Sequence, residues 1–116
     1  IDIHGSNNEI VGQQRSCSNN QCSGHAARIY LYGDDNSVFG EQKADGGKEF
    51  YLTINNDDNT VDYLQDGTGE HNATITLNGT YGTDLDITQH SNTLQNYTLT
   101  QTCITVGGCT IAITQD

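Results

Sequence analysis

The chain has 116 residues, only 33% of them hydrophobic, with no Pro, Trp or Met. Four Lys/Arg against fifteen Asp/Glu give a formal net charge of −11, which argues against nucleic acid and anionic membrane surfaces, since both need a basic footprint. No apolar run approaches the ~20 residues of a transmembrane helix, so no membrane span is expected. Low hydrophobicity with high charge leans towards disorder, unless similar layers stack so that backbone and side-chain ladders supplement a thin core.

The chain opens on IDIHG, already alternating, and reads as a mature form with no signal peptide. A period of two residues is the signature of a β-strand. In the first unit, 1–14, Ile1 and Ile3 share a face, Gly5-Ser6-Asn7 turns, and Asn8, Ile10 and Gln14 return. A polar insertion, 15–27, follows and carries Cys17 and Cys22. The second unit, 28–42, alternates Ile29 and Leu31 with Tyr30 and Tyr32. It turns at Gly33-Asp34-Asp35 and returns through Asn36, Val38, Gly40 and Gln42.

A loop, KADGGKEF, leads to the third unit, 51–65, with Leu52 and Ile54, the turn Asn55 to Asp58, then Asn59, Val61, Tyr63 and Gln65. The fourth unit, 72–89, has Ile75 and Leu77, a turn at Gly79-Thr80-Tyr81-Gly82, then Thr83, Leu85, Ile87 and Gln89. The fifth, 95–115, has Tyr97, Leu99 and Gln101, a stretched turn bracketed by Cys103 and Cys109, then Ile111 and Gln115. Two markers give one period. The closing glutamines, Gln14, Gln42, Gln65, Gln89 and Gln115, are spaced 28, 23, 24 and 26 residues. The first-strand ends, Ile3, Leu31, Ile54, Leu77 and Gln101, are spaced 28, 23, 23 and 24.

Five strand–turn–strand units at this period predict one all-β domain, a two-sheeted β-solenoid whose rungs pair in parallel at ~4.8 Å. The expected inward apolar positions are Ile10, Leu31, Val38, Ile54, Val61, Leu77, Leu85 and Ile111. The expected stacking ladder is Asn8, Asn36, Asn59, Gln14, Gln42, Gln65, Gln89, Gln101 and Gln115, each amide finding its hydrogen-bond partner on the next rung. Proline would remove a ladder donor, and there is none.

The pattern resembles the curlin repeat of curli fibre subunits, Ser-x5-Gln-x-Gly-x2-Asn-x5-Gln. Gly5…Asn8…Gln14 and Gly33…Asn36…Gln42 match its second half, Asn59…Gln65 matches with Asn56 in the glycine slot, and Gln95-x5-Gln101 resembles its first half. Ile3, Leu31, Ile54 and Leu77 depart from it by replacing the first-strand glutamine. The resemblance spans nearly the full length and implies a secreted subunit that polymerises into extracellular, amyloid-type fibres for adhesion and biofilm matrix.

Four cysteines allow three pairings; the sequence-local pairs Cys17–Cys22 and Cys103–Cys109 are the natural choice and imply an oxidising, extracellular location. A rival metal site of Cys17, Cys22 and His25 lacks a fourth ligand. The acidic turns put Asp34, Asp35, Asp57 and Asp58 on one edge, where calcium is the cation such oxygens would take. No other cofactor is expected. Charged turns also oppose wrong pairing without any ligand. Sequons occur at Asn72, Asn78 and Asn96, which parity turns outward. Outward threonines in TIT and TLT suggest an ice-binding array, but Asp2/His4 and Tyr30/Tyr32 interrupt it, and β-propensity explains the threonines. His4, His25, His71 and His90 read as surface residues, and no nucleophile–base spacing marks an enzyme.

The expected partners are therefore copies of the chain itself, stacked head to tail in a polymer, and beyond them surface glycans or matrix. A glycan-binding solenoid adhesin or phage fibre module, using Tyr30, Tyr32 and the acidic turns, is the alternative. A β-sandwich pilin completed by a donated strand is a third.

Overall fold

The computed structural model describes residues 1–14, 25–43 and 46–116. Among the described residues eleven strands, all paired in parallel, form two sheets. The first contains β1 (Asp2–Ile3), β4 (Ala26–Leu31), β6 (Lys48–Ile54), β8 (His71–Gly79) and β10 (Gln95–Cys103) in that order. The second runs from β2 (Glu9–Ile10) and β3 (Gln13–Gln14) through β5 (Ser37–Gln42), β7 (Thr60–Asp66) and β9 (Thr83–His90) to β11 (Cys109–Gln115). The chain alternates between the sheets, so each strand–turn–strand unit is one rung of a β-solenoid. Parallel pairing throughout the described residues rules out the antiparallel pilin sandwich.

Both sequence columns appear as strand register. Ile3, Leu31, Ile54, Leu77 and Gln101 are successive partners in the first sheet. In the second, Ile10, Val38, Val61, Leu85 and Ile111 are, as are the five closing glutamines. A one-residue slip would turn every inward side chain to solvent, so the apolar columns hold this register. Leu31, Val38, Ile54, Val61, Leu77 and Leu85 are fully buried, whereas Ile10 and Ile111, on the end rungs, are only partly covered.

The strands begin earlier than the sequence units. β4 starts at Ala26, inside the expected insertion, and β6 at Lys48, inside the expected loop. The reason is packing: alternation continues backwards from Leu52 through Phe50 to Lys48, all buried. Phe50 stacks on Tyr63 across the two sheets, with centroids 3.8 Å apart and planes 10° from parallel. Gly40 makes this possible, because a Cβ there would meet the Tyr63 ring at 2.5 Å.

Candidate functional site

The candidate site is repetitive: two amide ladders inside the solenoid and the rungs that end them. The glutamine ladder is continuous and has a direction. Gln14 Nε2 donates to Gln42 Oε1 at 3.0 Å, Gln42 to Gln65 at 2.8 Å, Gln65 to Gln89 at 2.7 Å and Gln89 to Gln115 at 2.8 Å. From Gln42 onwards the amides also donate across to the other sheet. Gln42 reaches the Ala26 carbonyl, Gln65 that of Glu49 and Gln115 that of Asn96. The ladder thus satisfies buried amides and ties the sheets together along one edge. Gln101 stands apart from it, above Leu77 in the aliphatic column.

The asparagine ladder runs the other way and stops short. Asn36 donates its backbone and side-chain N–H to Asn8 Oδ1, and Asn59 does the same to Asn36 Oδ1, at 2.8–3.1 Å. Asn59 Oδ1 then accepts only the Thr83 backbone N–H, and Thr83 Oγ1 is buried without a partner. At the same position in the fifth rung is Cys109, bonded to Cys103 with a Cα–Cα distance of 5.8 Å. The disulfide closes the turn that the asparagines close elsewhere. Cys17 and Cys22 lie outside the described residues, and with them the three-ligand metal reading that includes His25.

The acidic turns have a structural role. Asp34 Oδ1 accepts the Ser6 N–H at 2.6 Å, and Asp57 Oδ1 accepts the Asp34 N–H at 2.8 Å, so each carboxylate caps the preceding turn. Asn7, Asp35 and Asp58 adopt the left-handed backbone, with φ of 58°, 56° and 60°. Asn and Asp tolerate that region better than other non-glycine residues, which accounts for their choice here. Among the described residues no three His, Cys, Asp or Glu side chains converge as metal ligands.

The expectation that all four histidines are surface residues fails at His71. It is buried in line with buried Lys48 below and Gln95 above; its Nε2 lies 2.6 Å from the Asp66 carbonyl and its Nδ1 has no partner. Burial holds its pKa below the usual histidine value. Lys48 Nζ donates to the Gly69 carbonyl. Glycines and charges flank both residues in the sequence and mask the strand signal; counting parity back from Leu52 and Ile75 finds them.

Sequon residues Asn72, Asn78 and Asn96 take outward strand positions, and Asn78 Oδ1 accepts from Asn55. Tyr30 and Tyr32 are outward and exposed. Beside them His4 stacks on Tyr32 at 5.2 Å, and the Arg28 guanidinium lies 4.5 Å over the Tyr51 ring. Exposed large apolar side chains gather in the first and last rungs: Ile1, Ile3 and Val11 at one end, Leu94, Ile104 and Val106 at the other. Ile1, Ile104 and Val106 are 77%, 75% and 81% exposed. No helix among the described residues is long and apolar enough to cross a membrane. Comparison with protein-family models, curated proteins and solved structures finds no match to the chain.

Proposed function

We propose that the chain is the structural subunit of an extracellular, curli-like filament that grows by stacking the last rung of one copy on the first rung of the next. One observation carries this reading: the glutamine ladder is polar, and its two ends are complementary. Among the described residues Gln115 accepts from Gln89 and donates to no glutamine, while Gln14 donates to Gln42 and receives from none. A neighbour placed head to tail supplies the missing step at both. Among the described residues the backbone of β1 pairs on one side only, as do those of β10 and β11, and such edges recruit further strands. The exposed apolar residues of the end rungs lie where that contact would cover them. A heterologous contact that does not close gives a filament. Secretion, adhesion and a matrix role follow from the curlin resemblance, with the disulfide in keeping with an oxidising location.

A glycan-binding module is the second reading, supported by the outward cluster of His4, Tyr30, Tyr32, Arg28 and Tyr51. Sedimentation and negative-stain microscopy over a concentration series separate the two. The filament reading expects a critical concentration above which unbranched filaments pellet; a protein that stays monomeric at high concentration contradicts it.

A further inference from the structure

The end rungs differ in bulk. One inward column of the first sheet reads Ala27, Phe50, Ala73, Tyr97, and the facing column of the second reads Gly40, Tyr63, Ile87, Ile113, preceded by Gly12 in the first rung. Small and large residues alternate along the first column, and the second begins with two glycines. The third rung fills its core with the Phe50–Tyr63 ring pair, beside the small Ala27 and Gly40. At the first rung Gly12 leaves a hollow of about 380 Å³, walled by Ile1, Ile10, Ala27, Ile29 and Tyr63, with Gln13 and Gln14 at its polar side. At the other end Tyr97 is inward but only partly covered.

We infer that Tyr97 of one copy is the knob that fills the Gly12 hollow of the next. The inference rests on the stacking reading and identifies the side chains that set its fit and polarity. Continuing the columns across the junction puts Gln101 under Ile3, Leu99 under Ile1 and Gln115 under Gln14. Tyr97, two residues before Leu99, then falls beyond Ile1, in the Ala27 column and at the mouth of the hollow. Ile113, which shares a column with Gly40, meets Gly12. The reverse contact, last rung on last rung, would run the facing strands antiparallel, break the columns and leave both hollows empty. A ring entering an apolar hollow is the contact that dominates an interface, and shape complementarity of this kind favours one direction of growth.

A size swap tests it. Gly12→Leu is compatible with the subunit, because a Cβ at Gly12 meets only the Tyr63 hydroxyl, at 3.7 Å. Gly12→Leu and Tyr97→Ala should each fold, by circular dichroism, yet raise the critical concentration for filaments about tenfold or more, as expected for losing one buried ring. The double variant, with Leu supplying the bulk that Ala lacks, should recover to within about threefold of wild type. Covalent tyrosine labelling read by mass spectrometry should find Tyr97 reactive in monomer and protected in filament. Unchanged critical concentrations in both single variants, a double variant no better than the worse single, or concentration-independent protection of Tyr97 overturn the knob and leave rung stacking standing. Absence of wild-type filaments overturns both.

Discussion

Asn59 shows what a single ladder residue does. Its amide donates to Asn36 Oδ1 and the Asn56 carbonyl, and its carbonyl accepts from Thr83, all in a fully buried place. Asn59→Ala leaves the buried Asn56 carbonyl and Thr83 N–H without this partner, each costing about 1–3 kcal/mol, while Asn36 Oδ1 keeps the Asn59 backbone N–H. Chemical denaturation should therefore register a loss of about 3 kcal/mol or more, whereas Gln115→Ala, at the exposed end, should cost the subunit under about 1 kcal/mol. His71 gives a pH dependence of definite sign. Burial favours its neutral form, so the unfolded chain binds the proton more tightly, near pH 6.5. The contribution is complete above that pH and is lost as pH falls through the lower folded value. Lys48, in register one rung away, disfavours the second buried charge. Denaturation midpoints of wild type and His71→Phe should diverge with that profile; parallel curves from pH 8 to 5 contradict it.

At the level of strands and turns, glycines decide which rings fit. Gly40 has φ of 153°, and a Cβ there would lie 2.3 Å from the Tyr63 carbonyl oxygen and 2.5 Å from its ring. Gly40→Ala must displace the Phe50–Tyr63 pair, a change in the range of severe core disruption, about 4 kcal/mol or more. Gly12→Ala, which meets only a hydroxyl at 3.7 Å, should be close to neutral in the monomer. The Cys103–Cys109 clip closes a loop with a sequence separation of 6, for which chain entropy predicts about 2 kcal/mol. Reduction, or Cys103→Ser with Cys109→Ser, should lower the denaturation midpoint accordingly. The strand columns were legible in the sequence because each rung repeats the residue type at one place: aliphatic at Leu31, Ile54 and Leu77, glutamine at the close. The Phe50–Tyr63 pair was not. Those residues face each other across the two sheets, and periodicity within a strand carries no record of the opposite strand. Nor was the work of Asp34 and Asp57, whose carboxylates cap backbone N–H groups of the neighbouring turn.

The whole molecule is thin, 46 × 25 × 14 Å, the shape of two sheets packed at ~10 Å with a core of few apolar columns. Its cohesion along the stack comes from layer-to-layer repetition, and the same repetition leaves each end rung able to receive another. On the filament reading, the charge of −11 sets subunits against one another at low salt, and raised ionic strength should speed assembly by screening that repulsion. Turbidity or light scattering across a salt series reads this directly. The most direct measurement of the account is the structure of the filament itself, by fibre diffraction or electron cryo-microscopy. Stacked rungs predict strands perpendicular to the axis, a meridional repeat of ~4.8 Å and a subunit repeat of about five layers, ~24 Å. Filaments without the ~4.8 Å axial repeat, or with subunits joined side to side, contradict it.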